Sequence, residues 1–290
     1  MLSLIPSVLR PAAIRCSHHY RNSSTTISFF KQVLSKFPPE RCLVFAYGSG
    51  VFRQEGHKDT RDNMTDFIFA VHDTEQWHKE NLALHPMHYS TMARLMGPAA
   101  IKRCQEEWGA RLYFNTLVPW GEGMIKYGVI NRMDLLKDLR NWETLYVAGR
   151  LHKPVNIIEQ EEDKELEEAL RTNLSCAVHT ALLLLPERFK EEELFMTVAG
   201  LSYTGDFRMV VGEDRNKVAN IVRPQMTRFR ELYSKRLQEI APVLHMGDSV
   251  CEQDVGSGGR MAHLTWLSSL AGSGYQNDMK LICSCSSVLS

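Results

Sequence analysis

The segment Cys42-Leu43-Val44-Phe45-Ala46-Tyr47-Gly48-Ser49-Gly50 places an apolar run directly before a Gly-Ser-Gly sequence. An apolar run of this length, bounded by glycine, predicts a buried β-strand that stops at a tight turn. After a polar loop, Asp66-Phe67-Ile68-Phe69-Ala70-Val71 is again rich in β-branched and aromatic residues and predicts a second strand. These two strands form the centre of the predicted fold.

The sequence on either side of this pair alternates between helical and strand periodicity. Helices are predicted over residues 27–37, 74–84, 89–108, 131–149, 161–185, 191–201 and 223–240, a hairpin over 111–118 and 124–130, and a short strand over 154–158. Asn131 is the predicted cap of the fourth helix. The order of elements predicts an α+β protein, with a strand-rich N-terminal domain followed by an all-helical one.

Composition excludes some classes of function. The chain has 290 residues and is 44% hydrophobic, so it can bury a sizeable core. Lys+Arg and Asp+Glu are both 34, and a net charge of zero gives no global positive field to hold a nucleic acid. No apolar run approaches the roughly 18 residues of a membrane-spanning helix, so we expect any membrane contact to be peripheral.

Cysteine and histidine patterns do not predict a metal centre. Seven cysteines without a Cys-x-x-Cys pair fit a reducing compartment, and we expect no disulfide framework. Cys251, Cys283 and Cys285 match no common zinc spacing and are interpreted as unpaired thiols. His85 and His88 flank Pro86, which favours a loop and helix-start role over a metal site.

The N-terminal leader contains no acidic residue before Glu40 and is rich in arginine and serine. Its apolar residues can gather on one side of a helix opposite Arg10 and Arg15, the form of a mitochondrial presequence. A disordered N-terminus is the alternative. We therefore assign residues 1–25 to a presequence.

The Gly-Ser turn and the acidic strand together have a chemical interpretation. Gly48 and Gly50 let the backbone approach a triphosphate, and Ser49 can donate to its oxygens. A carboxylate on the neighbouring strand, Asp66, can hold Mg²⁺ against those phosphates. This arrangement looks like the DNA polymerase β-type nucleotidyltransferase signature, and a structural turn beside an unrelated aspartate is the alternative.

The sequence departs from that signature at one position. The superfamily usually carries two acids separated by one apolar residue, and Met64 stands where the first is expected. A second carboxylate must then come from elsewhere, with Asp62, Asp73 and Asp206 as candidates.

A closer resemblance extends over most of residues 30–240. The chain is similar to the mitochondrial CDP-diacylglycerol synthase family, also called the mitochondrial translocator assembly and maintenance protein family. The strings that carry the resemblance are YGSGVFRQ at 47–54, HYS at 88–90, KYGVI at 126–130, AGRLHKPV at 148–155 and LSYTGDFR at 201–208.

The resemblance implies a fold, a location and a reaction. The fold would be a polymerase β-type nucleotidyltransferase domain, a mixed sheet with flanking helices, over residues 26–158. A helical, winged-helix-like domain would follow over 159–245. The implied activity is transfer of CMP from CTP to phosphatidic acid with Mg²⁺, for cardiolipin synthesis, in peripheral contact with the matrix side of the inner mitochondrial membrane.

Asp66 is supplied by the two-part signature, and the other site residues follow by matching the same strings. Tyr47, Gly48, Ser49, Gly50 and Arg53 would bind the nucleotide. Asp66, Lys126 and Asp206 would be catalytic, with Asp66 and Asp206 as metal ligands, and Arg208 would bind the lipid phosphate. Lys126 as a solvated strand lysine and Asp206 with Arg208 as a surface ion pair are the alternatives.

Two other functions stay open. A nucleotidyltransferase with an RNA or small-molecule acceptor would keep the same nucleotide site, and a non-catalytic factor that maintains inner-membrane protein import would explain Met64. The family usually continues with further helical sequence and a basic segment, which residues 247–290 do not resemble. We therefore predict an atypical, loosely ordered tail over 246–290.

Overall fold

A computed structural model of the chain describes residues 24–51, 64–121, 123–203, 216–247, 250–254 and 263–265. Almost all of the predicted presequence lies outside these ranges, as do Arg53, Asp62, Asp206 and Arg208. Among the predicted site residues, the structure therefore describes Tyr47, Gly48, Ser49, Gly50, Asp66 and Lys126.

The larger sheet is mixed and has five strands. They are β1 (Leu43–Tyr47), β2 (Thr65–Val71), β3 (Leu112–Trp120), β4 (Gly123–Asn131) and β5 (Asn156–Gln160), in the order β3-β4-β2-β1-β5. β2 and β4 are parallel, and the other neighbours are antiparallel. The predicted strand pair lies in the middle of the sheet, and the predicted hairpin, β3 and β4, forms one side of it. The α+β prediction is confirmed.

Helices cover both faces of this sheet. They are α1 (Ser24–Leu34), α2 (Thr74–Leu84), α3 (Thr91–Glu107), α4 (Arg132–Asn141), α5 (Val147–Leu151), α6 (Lys164–Leu184), α7 (Glu191–Gly200), α8 (Lys217–Val222) and α9 (Met226–Glu239). Short 3₁₀ turns lie at Pro86–His88, Leu201–Tyr203 and Arg223–Gln225.

Alternation along the strands divides the core in two, because successive side chains point to opposite faces. Phe67 and Phe69 of β2 pack with Trp77 of α2 on one face. Ile68 belongs to the core on the other face, which continues into α4, α5 and α6. This second core also includes Phe195 and Phe229 of α7 and α9, so it crosses the predicted domain boundary at residue 158. The boundary itself stays a prediction.

The helix predicted over residues 131–149 is two helices. Asn131 caps α4 as predicted, since its side chain accepts from Met133 N over 2.8 Å. Trp142 then adopts a left-handed conformation with φ 50°, and Leu145 follows with φ 53°. This reversal ends α4 and starts α5 in a new direction, which helical periodicity alone does not show.

The second part of the chain is not all-helical, contrary to the pattern-based prediction. A small antiparallel sheet, in the order β6-β8-β7, contains β6 (Arg188–Phe189), β7 (Leu244–Met246) and β8 (Cys251–Gln253). The Gln253 side chain donates to the carbonyl oxygens of Leu182, Leu185 and Pro186 over 2.9–3.0 Å. These bonds satisfy carbonyls at the end of α6 and fix β8, a strand that the sequence pattern did not predict.

The described cysteines, Cys42, Cys104, Cys176 and Cys251, are free thiols. Within the described residues, no helix combines the length and the apolar composition needed to cross a membrane.

Candidate active site

Strand register places three predicted site residues in one row. Tyr47 of β1 lies opposite Asp66 of β2, and Asp66 lies beside Lys126 of β4. Residues paired across neighbouring strands project to the same face of a sheet. Tyr47, Asp66 and Lys126 therefore face the same side, at the end of the sheet where β1 stops.

The turn after β1 lies against this row. Val51 N donates to Gly48 O over 3.1 Å and closes the turn. Gly48 has φ +84°, and a Cβ added there would stand 3.2 Å from Asp66 Oδ2. A Cβ at Gly50 would stand 2.6 Å from Met64 O, closer than real atoms approach. Both glycines are thus required by the close packing of the turn on the start of β2.

The Asp66 carboxyl group is largely buried, and its hydrogen-bonding capacity is not fully satisfied. Its Oδ1 has no hydrogen-bond partner among the described residues. Burial raises the pKa of Asp66, and the positive charges of Lys126 and Arg150 act in the opposite direction. A buried carboxylate oxygen that lacks a partner fits a divalent cation, because hard cations take oxygen ligands and offset the cost of burying the charge.

Lys126 is held above an aromatic ring. Its Nζ lies 4.7 Å from the centroid of the Phe114 ring. A Cβ at Gly128 would stand 2.6 Å from Phe114 Cε1, so the missing side chain lets this ring lie over β4. The contact with the Phe114 ring therefore restricts the Lys126 ammonium group to a position beside Asp66.

Arg150 of α5 is a site residue that the sequence analysis did not single out. Its guanidinium carbon lies 3.8 Å from the Tyr146 ring centroid and 5.1 Å from the Tyr47 ring centroid. Nη1 donates to Tyr146 O over 3.0 Å, whereas the buried Nε has no partner among the described residues. The signal available was the string at 148–155, which carried the resemblance without a role for Arg150.

Lys153, which follows α5, is a further cation near Arg150. Lys153 Nζ donates to Ser202 Oγ over 2.7 Å and lies 4.6 Å from the Tyr203 ring centroid. Lys217 approaches the same ring at 5.6 Å. Burial, together with the charges of Arg150 and Lys217, lowers the pKa of Lys153 to about 7. Lys126 and Arg150 thus act on the Asp66 carboxylate, and Lys153 and Lys217 extend the positive charge beyond Arg150, a local excess that the zero net charge of the chain conceals.

The remaining predicted positions are not all in this site. Asp73, a candidate second carboxylate, lies past the opposite end of β2, about 20 Å from Asp66 at the usual rise per residue. It caps α2 by accepting from Glu75 N and Gln76 N, each over 3.0 Å. Asp73 is therefore a structural residue and not a metal ligand.

His85 and His88 have structural contacts. Their rings stack with centroids 4.5 Å apart, His85 Nε2 lies 2.7 Å from Lys36 O, and His88 Nδ1 lies 3.0 Å from the Tyr127 hydroxyl. Among the described residues, no group of three His, Cys, Asp or Glu side chains could hold a metal ion. Asp66 is thus the carboxylate that the described part of the site offers to a cation.

Comparisons with known proteins identify one family. Residues 30–275 match the family described as phosphatidate cytidylyltransferase, mitochondrial. A protein of that name from Xenopus laevis is 51% identical over 207 residues, which is 71% of this chain. One from Homo sapiens is 51% identical over 217 residues, which is 74% of this chain. A Caenorhabditis elegans protein of the same name is 39% identical over 227 residues, 78% of this chain and 70% of its own length.

The chain spans 61% of the length of the Xenopus relative and 48% of that of the human one. The match nevertheless includes the turn after β1, Asp66, Lys126, Arg150 and Lys153 within one continuous family region. The chain therefore belongs to the mitochondrial phosphatidate cytidylyltransferase family.

Proposed function

We propose that the chain transfers CMP from CTP to phosphatidic acid, forming CDP-diacylglycerol and pyrophosphate for cardiolipin synthesis. The observation that carries the proposal is the convergence of the Gly48 turn, Asp66, Lys126 and Arg150 at one end of the sheet. The family's name supports cytidylyl transfer to phosphatidate in particular. We further propose peripheral contact with the matrix side of the inner mitochondrial membrane.

The cations suit a substrate that carries several negative charges. Lys126, Arg150 and Lys153 come from β4, α5 and the residues after α5, and together they can contact a triphosphate along its length. Arg150 is preorganised, since two aromatic rings hold its guanidinium plane. Positioned charge of this kind stabilises phosphoryl transfer without reorganisation during the reaction.

Asp66 is the proposed ligand of Mg²⁺, and Asp206 remains a proposed second ligand. When bound, Mg²⁺ would neutralise phosphate charge and favour departure of pyrophosphate. Tyr47, whose pKa is raised to about 12 by burial, stays a neutral hydroxyl and can donate to a phosphate or sugar oxygen. The Gly48-Ser49-Gly50 turn brings backbone N–H groups to the phosphates, and Arg53 stays a proposed contact of the nucleotide.

The acceptor supplies its own nucleophile. An oxygen of phosphatidic acid is already anionic near neutral pH, so no strong general base is required. A new bond forms between this oxygen and the α-phosphorus of CTP, while the bond from the α-phosphorus to the bridging oxygen breaks and pyrophosphate leaves with the electron pair. Arg208 is proposed to hold the phosphate of the lipid during this step.

A transfer assay with labelled CTP tests the proposal. The chain should form labelled CDP-diacylglycerol from phosphatidic acid and transfer no label to tRNA. Asp66→Ala and Asp66→Asn should each reduce the rate at least about a hundredfold, because a metal-binding charge is lost. Neither should lower the thermal midpoint, since burial disfavours the Asp66 charge in the free protein. A well-folded Asp66→Ala protein that keeps the parent rate would contradict the proposal.

A further inference from the structure

A cluster of large apolar side chains is exposed where α2, the following 3₁₀ turn and α3 meet. We name it the methionine-rich patch, and its members are Leu84, Met87, Met92, Leu95 and Met96. Met87 and Leu95 are each 80% exposed, more than any other large apolar side chain described. Exposed apolar residues that cluster in this way mark an interaction surface more often than isolated ones do.

Helical spacing and one contact join Met87, Met92, Leu95 and Met96 in one surface. Met92, Leu95 and Met96 stand at helical spacings of three and four and share one face of α3. Arg94 Nη1 lies 3.7 Å from Met87 Sδ and so joins the 3₁₀ turn to α3. Gly97, with φ +79°, then breaks the helix, and the buried Ile101 belongs to the part of α3 beyond the break.

Arg94 supplies the positive charge beside the patch. No Asp or Glu occurs between Glu80 and Glu106, and the other two cations of this segment, Lys102 and Arg103, lie beyond the break at Gly97 and pair with Glu75 and Glu107. Arg94 is exposed, donates to Thr91 Oγ1 over 3.1 Å and pairs with no carboxylate among the described residues. An apolar surface that is bordered by an exposed arginine without a carboxylate partner among the described residues complements an anionic phospholipid surface.

The elements that carry the patch pack on the face of the sheet opposite the candidate active site. Tyr127 follows Lys126 in β4, so its side chain points to the opposite face of the sheet. There its hydroxyl accepts from Asn81 Nδ2 of α2 over 2.9 Å and lies 3.0 Å from His88 Nδ1 in the 3₁₀ turn. The turn that carries Met87 is therefore tied to the strand residue next to Lys126.

We propose that the methionine-rich patch docks the protein on an anionic phospholipid bilayer, with Met87 and Leu95 entering the boundary between head groups and acyl chains. The inference rests on the proposed function, because a lipid acceptor has to be reached at a bilayer surface. The patch contains none of the aromatic anchors that are typical of protein interfaces. Flexible methionine side chains suit disordered acyl chains, which offer no fixed shape to match.

A flotation experiment with charge variants tests the proposal. The complete chain, the double variant Met87→Glu/Leu95→Glu and the control Met133→Glu are mixed with vesicles of phosphatidylcholine alone or with roughly one third phosphatidylserine. Met133 is also an exposed methionine, at 54%, but lies on α4 outside the patch. Phosphatidylserine is used because it is anionic and is not the proposed substrate.

The parent and Met133→Glu should float with the anionic vesicles, and the double variant should lose at least about tenfold in binding. Circular dichroism and the thermal midpoint should match in all three proteins, because largely exposed side chains are replaced. Equal flotation of the double variant, or no flotation of the parent, would overturn the proposal. Size-exclusion chromatography that shows a parent dimer, a monomeric double variant and equal flotation would assign the patch to a second copy of the chain and also overturn it.

Transfer of CMP to a soluble short-chain phosphatidate, without vesicles, separates this inference from the proposed function. The double variant should keep the parent rate in that assay, since no patch residue belongs to the active site. If neither protein transferred CMP but flotation differed as expected, the catalytic proposal would fail and the docking surface would stand. A parallel loss of soluble-substrate transfer and flotation in the double variant would overturn the docking surface.

Discussion

At the scale of single residues, the site is defined by charges that the fold buries. Asp66 keeps a carboxylate oxygen without a partner among the described residues, and Arg150 keeps a buried Nε in the same state. Leaving buried polar groups unsatisfied costs stability, typically about 1–3 kcal/mol for each. Such a cost is expected where a ligand completes the site, which is the role that we propose for CTP with Mg²⁺.

Lys153 should make the stability of the free protein depend on pH. Its pKa in the folded chain is about 7, below the ordinary value of about 10.4 for an unfolded lysine. The unfolded chain therefore binds more protons between these values, and stability should rise with pH across that window. The rise should be no more than about 1 kcal/mol per pH unit, because the side chain is partly exposed.

Thermal midpoints measured from pH 7 to pH 9 check this expectation. Lys153→Met should flatten the dependence, whereas Lys79→Met, at an exposed lysine of α2, should leave it unchanged. Parallel curves for the parent and Lys153→Met would show that Lys153 has an ordinary environment.

At the scale of elements, the orientation of α5 determines where Arg150 lies. The buried carboxylate of Asp138 accepts from Val147 N and Ala148 N, each over 2.9 Å, and from Leu145 N over 2.8 Å. These bonds anchor the start of α5 after the left-handed residues Trp142 and Leu145. On the other side, Gly149 packs against Ser202 with no space for a side chain.

Gly149→Ala should disturb this element. The added Cβ would stand 2.3 Å from Ser202 Cβ, so α5 or the turn at Leu201–Tyr203 must move, at a cost of about 1–3 kcal/mol in the free energy of unfolding. CTP affinity should fall as well, because Arg150 is the next residue. Gly200→Ala is the matched control, since a Cβ there meets nothing within 4 Å. Chemical denaturation measures the stability, and CTP titration measures the affinity. A Gly149→Ala protein with the same stability and the same CTP affinity as the control would contradict this interpretation of the packing.

The elements also show what the sequence can and cannot predict. β1, β2 and the β3–β4 hairpin were predictable, because apolar runs between glycine-rich turns have few other interpretations. The break within residues 131–149 was not, since neither Trp142 nor Leu145 is a residue type that signals a left-handed turn. Arg150 and Lys153 were missed for the same reason: their positions depend on how α5 leaves that break. The roles of Arg53, Asp206 and Arg208 stay predictions.

At the scale of the whole molecule, one core connects the sheet to the helices that follow it. Phe45 and Ile68 of the sheet share this core with Leu166 of α6 and Phe195 of α7. The Tyr233 hydroxyl of α9 also donates to His152 O over 2.8 Å, next to Lys153. The described helices of the second half of the chain therefore support the residues that complete the cation cluster.

The central claim is that the Gly48 turn, Asp66, Lys126 and Arg150 hold one triphosphate and its divalent cation. A crystal structure of the chain with CTP and Mn²⁺ tests it most directly, because manganese can be located by anomalous scattering. We predict a manganese peak about 2.0–2.3 Å from an Asp66 oxygen, with the CTP phosphates between the Gly48 turn and Arg150. CTP bound elsewhere, or a manganese ion remote from Asp66, would contradict the account.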